Sequence, residues 1–224
     1  MSKPRSAALA LAAAVLLALA GLALLRPPGS QALPPGFFGI VPQTPVEATD
    51  AARMRDGGVE TIRLPITWSS VQSGYDEEFN WLVFDEIFET AARHHLEVLP
   101  ALGGVPGWVS HDWRRLPIDN ARRRQAWARF VEAAVERYEP GGVFWQGHLP
   151  GSRSPLPQLP VHVWQVWNEE NFFYFTRPAS PNRYARLLAI TDRAVHRADP
   201  RADVLLGGLF GDPGQRPPKA MDAD

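Results

Sequence analysis

Val161-His162-Val163-Trp164-Gln165-Val166-Trp167-Asn168-Glu169-Glu170-Asn171 carries the chain's most informative pattern. It opens as an apolar, β-branched and aromatic run, the composition of a buried strand. It then passes without a turn into an amide, two carboxylates and a second amide. Acids at the end of a buried strand are costly unless they reach a solvated pocket or find partners. Glu169 is therefore the first candidate for chemistry.

Working outward, the same kind of run recurs along the chain. Phe37 to Val41 reads as a first strand, Val59 to Leu64 as a second ending in Arg63-Leu64-Pro65, Val98 to Leu102 as a third and Val204 to Gly208 as a fifth. Helical stripes lie between them. Thr44-Pro45-Val46-Glu47 has the form of a capping box, and the helix it opens should stop at Gly57-Gly58. Asn80 caps a helix with Phe84, Ile87, Phe88 and Ala91 on one face; a third helix carries Trp127, Phe130, Val131, Ala134 and Tyr138; Ser180-Pro181 starts a fourth.

Strands alternating with helices call for parallel crossovers, hence an α/β fold. Pro42-Gln43-Thr44-Pro45 stands after the first strand in place of a Gly-rich phosphate loop, which disfavours a nucleotide-binding open sheet. The preferred architecture is a parallel (β/α)8 barrel of the TIM type. That fold needs eight units and about 250 residues, so the five units read here are expected to be its N-terminal part.

The chain has 224 residues with a net charge of -1, which offers no basic face to nucleic acid. It has no cysteine, so disulfides, thiolate metal sites and a cysteine nucleophile are excluded. No metal site and no cofactor is expected: His111 and Asp112 share a loop, but no pair of histidines or carboxylates has ligand spacing. Lys3 and Arg5 precede an uncharged Ala- and Leu-rich run from Ser6 to Leu25, the form of an export leader. Cleavage after Ser30-Gln31-Ala32 and retention as a membrane anchor both stay open; either places the folded part outside the cytoplasmic membrane. The expected organisation is a leader helix and Pro-rich tether over residues 1–35, the partial barrel over 36–209 and a disordered tail over 210–224.

Barrel geometry puts segments that follow strands on the catalytic face. By that rule Trp68, Tyr75, Trp108, His111, Trp113, Glu169, Glu170, Asn171, Phe173 and Tyr174 belong to the active rim. Alternation along the fourth strand sends Glu170 away from the axis if Glu169 faces it. The plain alternatives are an ion pair of Glu169 with Arg63, and of Glu170 with Arg177.

Trp167-Asn168-Glu169-Glu170-Asn171 resembles the Trp-Asn-Glu-Pro-Asn signature at the end of strand four in clan A glycoside hydrolases, most nearly the bacterial family 39-like and cellulase-like members. Arg63, the segment Leu99 to Trp108, and Ala198-Asp199-Pro200 before Val204 agree in order. The resemblance implies a retaining glycosidase of oligo- or polysaccharides, with Glu169 as general acid/base, Asn168 on the sugar 2-hydroxyl and Arg63 steadying the nucleophile. It also implies that Asn168 reaches the site through a local strand irregularity. Trp108 reads as a sugar-stacking platform or as packing under its loop, and Trp68 and Tyr174 as further substrate contacts. Trp167 and Phe172-Phe173 are expected to give Glu169 an apolar surround. Glu170 replaces the usual Pro. The family's nucleophile, a Glu ending strand seven, has no counterpart, and neither Glu97 nor Asp212 is placed to replace it. A non-catalytic sugar-binding barrel and an inactive fragment are the alternatives.

Overall fold

The computed structural model describes residues 33–211. The leader expected over residues 6–25, its cleavage site, Asp212 and the rest of the tail lie outside them. Among the described residues no helix is long and apolar enough to cross a membrane. The chain divides into residues 1–35 and a compact unit from Gly36 onward.

The compact unit runs β1 (Gly39–Ile40), α1 (Ala48–Asp56), β2 (Thr61–Thr67), α2 (Trp68–Val71), α3 (Leu82–Arg93), β3 (Glu97–Gly103), α4 (Ala121–Tyr138), α5 (Val143–Gln146), β4 (Val163–Val166), α6 (Pro181–Ala198) and β5 (Asp203–Leu206). The strands form one sheet in the order β1-β2-β3-β4-β5, every pair parallel. A doubly wound sheet would reverse its order somewhere; this one never does. Right-handed crossovers between successive neighbours put the helices on one face and leave the other as the inner wall of a partial (β/α) barrel.

Register and burial agree with that arrangement. Ile62, Leu64 and Ile66 of β2 stand beside Val98, Pro100 and Leu102 of β3, the side that packs under the helices. Arg63, Pro65 and Thr67 stand beside Leu99, Ala101 and Gly103 on the inner side. The helix-side core is strongly aromatic. Phe130 of α4 is fully buried and meets Trp68 at 5.6 Å, Trp127 at 5.3 Å and Trp81 at 6.3 Å between ring centroids. Below it Phe88 stacks on Tyr138 at 3.9 Å, and the Tyr138 hydroxyl donates to Asp85, which also accepts from Arg137.

Several local expectations are corrected. The capping box is not made: α1 starts only at Ala48, after Glu47, whose carbonyl accepts from Asp50 and Ala51, so Thr44 lies too far ahead to cap it. The second strand does not stop at Pro65 but continues to Thr67. Proline lacks a donor, yet β1 pairs only with Thr61 and Ile62, so Pro65 has no neighbour on that side to answer. The fourth strand is short, ending at Val166. The Ser180 signal holds, its side chain accepting from the Arg183 N–H at the start of α6, and α1 ends at Gly57, with Gly58 at φ 84°. Asn80 is not the cap of α3 but stands one residue ahead of its N-cap Trp81, accepting from the Leu82 N–H.

Phe130→Ala removes the side chain shared by three indoles and should cost about 3–5 kcal/mol. Urea unfolding followed by tryptophan fluorescence measures it.

Candidate active site

The site is at the C-terminal end of the sheet, where β4 gives way to irregular backbone. Trp167 (φ 70°) and Glu169 (φ 42°) are both left-handed although neither is glycine, a conformation held only when surrounding contacts dictate it. The contacts are identifiable. The Trp167 N–H donates to the Leu102 carbonyl, its indole Nε1 donates to the Phe175 carbonyl at 2.9 Å, and the Glu169 N–H donates to the Gly208 carbonyl at 2.8 Å. The double reversal breaks strand alternation. Asn168 and Glu169, adjacent in sequence, consequently line the same cavity.

That cavity, about 690 Å³, is walled by Arg63, Pro65 and Thr67 from β2, Ala101 and Gly103 from β3, Trp167, Asn168, Glu169 and Phe175 after β4, Gly208 after β5, and Trp113 from the long loop after β3. Its size suits a small ligand. Arg63 lies across its floor, donating through Nε to Gln165 Oε1 at 2.5 Å and through Nη2 to Asn168 Oδ1 at 2.9 Å. Burial pulls the Arg63 guanidinium below its usual range, and the charge of Glu169 acts the other way. Gln165 in turn donates to the Leu206 carbonyl at 2.9 Å. A polar line thus runs from β2 to β5 along the inner wall. Since Arg63 occupies the oxygen of Asn168, the amide N–H groups remain for a ligand acceptor.

The sequence-derived candidates divide. Glu169, Asn168 and Arg63 come together. Trp68 does not: it is 0% exposed, the first residue of the turn α2, with its indole bonded to Gln72 and its ring against Phe130. The extra residues of β2 carry it past the rim and into the core. Trp108 is also packed away from the cavity, edge-on to Trp68 at 5.2 Å and Tyr75 at 5.5 Å, its Nε1 donating to the Gln72 carbonyl. Tyr174 is exposed and stands beside Trp113, with ring centroids 6.1 Å apart, rather than in the cavity wall. Phe172 stacks on Phe210 at 4.5 Å, so the apolar surround of Glu169 comes from Trp167, Phe175 and Trp113 instead of Phe172-Phe173.

Trp113, at 44% exposure, stands on the rim as its position after a strand implies, and it presents the exposed indole of the cavity. Its loop is fixed by Asp112, which binds Arg114 at 2.7 Å and is held below the usual carboxylate range by it, and by the Arg177 N–H donating to the Arg114 carbonyl. Asp119 closes the loop, bonded to Arg115, Arg123 and Arg183. Glu170 does not pair with Arg177. It is 3% exposed and turned into the protein, while Arg177 acts on Asp112. Among the described residues no group of three or more His, Cys, Asp or Glu could hold a metal ion.

No family model matches the chain, and no curated protein matches it. Solved structures do. The chain is similar to a family 39 β-xylosidase from Caulobacter crescentus, with TM-score 0.58 and 18% identity over 80% of this chain and 42% of that one. It is similar to a family 39 glycoside hydrolase from the gut symbiont Bacteroides cellulosilyticus WH2, with TM-score 0.53 and 18% identity over 78% and 32%. It is also similar to the endoglucanase Cel5A from Pseudomonas stutzeri, with TM-score 0.50 and 13% identity over 70% and 40%. The chain therefore spans well under half the length of each of these three, and at such identities the likeness establishes the fold. Its structural neighbours are barrel glycoside hydrolases.

Arg63→Ala leaves the amides of Gln165 and Asn168 without their donor and should cost about 2–3 kcal/mol, the scale of bonds to a charged group. Urea denaturation reads the loss; Arg63→Lys, unable to reach both amides with one planar fork, should restore less than half of it.

Proposed function

We propose that this chain carries the acid/base half of a retaining glycoside hydrolase acting on β-linked glycosides, with Glu169 as the general acid/base. The observation that carries the reading is the convergence of Glu169, Asn168, Arg63 and an exposed indole, Trp113, on one cavity at the C-terminal end of parallel strands, the end where barrels of this fold keep their chemistry. The xylosidase and endoglucanase named among the structural neighbours favour a β-linked substrate.

In this mechanism Glu169 gives its proton to the departing glycosidic oxygen while a second carboxylate attacks the anomeric carbon. The same Glu169 then takes a proton from the water that releases the sugar. The two carboxyl groups must stand about 5–5.5 Å apart. Among the described residues Glu169 is the sole carboxylate lining the cavity, so the nucleophile belongs to a further part of the barrel. Arg63 supplies positive charge beside the reacting centre and fixes the Asn168 amide, whose N–H groups hold a sugar hydroxyl. Trp113 gives the sugar ring a face to stack on. The basic Lys3 and Arg5 before the uncharged run from Ser6 to Leu25 support export, so the substrate is met outside the cytoplasmic membrane.

One feature favours a second reading. A cavity with a single carboxylate also suits a barrel that binds glycans without cleaving them.

The protein bearing the whole barrel should hydrolyse 4-nitrophenyl β-xyloside or β-glucoside. Glu169→Gln should lower kcat/KM about 10²–10⁴-fold, and less for a 2,4-dinitrophenyl glycoside, whose leaving group needs no proton. Undiminished turnover of the 4-nitrophenyl substrate rejects the role of Glu169. Oligosaccharide binding by calorimetry without hydrolysis selects the second reading. Trp113→Ala should raise KM or Kd about 2- to 10-fold, the worth of one aromatic contact of ~0.5–1.5 kcal/mol.

A further inference from the structure

Glu170 is the odd member of the β4 end. It is a carboxylic acid 3% exposed, and its Oε2 has no hydrogen-bond partner among the described residues. Buried acids are ordinarily paired, so something else keeps it there. The group it faces is the main chain of Gly207. A Cβ built at Gly207 would lie 2.1 Å from Glu170 Oε2 and 3.1 Å from the Val166 carbonyl oxygen. A side chain at 207 would therefore have to displace the carboxyl from this space.

The surroundings show what that contact holds. Glu169 donates its main-chain N–H to Gly208, Glu170 sets its side chain on Gly207, and Asn171 clamps Phe210 from both sides, Nδ2 to the carbonyl and Oδ1 from the N–H, each at 2.8 Å. Tyr184 of α6 closes the group from behind, its hydroxyl donating to the Val166 carbonyl and accepting from the Gly207 N–H, both at 2.8 Å. Three consecutive residues, 169–171, therefore grip three of the four that follow β5. Among the described residues β5 has β4 as its sole strand partner, so the grip is one-sided and each contact counts. The left-handed Glu169 hangs from the Gly208 carbonyl within it.

We propose that Glu170 is a positioning residue for Glu169: its carboxyl, seated on Gly207, fixes the Gly207–Gly208 backbone from which the main chain of Glu169 is hung. The proposal rests on the acid/base reading of Glu169. It also accounts for an acid that no cation answers. Burial pushes the Glu170 carboxyl above the usual range, and its own main-chain N–H alone works against that. Tyr184 is the titratable side chain set against it, raised by its own burial first and by Glu170 after.

The sign of the pH effect follows. Below the ordinary glutamate value of about 4.3, Glu170 is protonated in folded and unfolded chains and contributes no slope. Above it the unfolded chain ionises first, so stability falls with rising pH until the folded group ionises too. Thermal melts of the full chain between pH 4 and 8 should show this fall, and Glu170→Gln, neutral and of the same shape, should remove that part of it. Identical slopes in the two proteins overturn the seating of the carboxyl on Gly207.

Positioning is read from kinetics of the barrel-bearing protein. Glu170→Gln should keep kcat within about 2-fold, whereas Gly207→Ala, which must displace the carboxyl, should lower kcat about 10- to 100-fold with little change in KM, as a misplaced catalytic group does. Glu170→Ala carries the same expectation should Gly207→Ala fail to fold. Hydrolysis by wild type with kcat unchanged in both variants overturns the positioning role and leaves the glycosidase reading intact. Absence of hydrolysis in wild type overturns that reading and the positioning role with it, while the melts still decide whether the Glu170 carboxyl is seated on Gly207.

Discussion

The guanidinium of Arg63, half-buried on the inner wall, is the constraint around which the site is arranged. It crosses β3 to reach two amides of the β4 segment, Gln165 within the strand and Asn168 beyond it. A cation taken partly out of water needs acceptors and a nearby negative charge. The two amides provide the acceptors and Glu169 the charge. Gln165 then passes the connection on to Leu206 of β5. Strand spacing, the orientation of Asn168 and the charge balance of the cavity thus depend on a single side chain, which explains why the polar residues of the inner wall lie on one line.

The helix-side face answers that polar line with aromatic mass. Trp68, Trp127 and Phe130 are fully buried, and Trp167 joins them by meeting Trp127 at 6.2 Å. Trp167 therefore serves both faces. Its ring reaches the core that α4 builds, while its neighbour Asn168 faces the cavity. The left-handed backbone at Trp167 is the local cost of that double duty, offset by burial of an indole whose N–H is bonded to Phe175. Rigid packing on one side supports an irregular turn on the other, the arrangement a site needs when its side chains must be held closely.

Much of this was legible in the sequence, for physical reasons that differ by residue. Parallel crossovers followed from strand and helix periods, and the Ser180-Pro181 start of α6 from one hydroxyl and one fixed φ. Glu169 followed from the expense of an acid at the end of a buried strand, and the break in alternation at Asn168 was implied by the resemblance to clan A enzymes. What escaped depended on partners distant in the chain. Pro65 looks like a strand end, and only the shortness of β1 pairing lets β2 continue past it. That extension buries Trp68 and, through it, Trp108, which an element-by-element reading leaves on the rim. Glu170 looks like a surface acid because nothing nearby in sequence shows that Gly207 leaves room for it.

Many of the apolar side chains left exposed gather at two places. Phe37, Phe38, Ile40 and Val41 gather around β1, and Leu205, Leu206, Leu209 and Phe210 around β5. These are the two outer strands of the sheet, where unpaired backbone groups and apolar surface together invite further pairing. On the barrel reading, additional strands cover both edges. The wall that carries Glu169 is braced from β2 to β5 by Arg63, Gln165 and the Gly207–Gly208 junction.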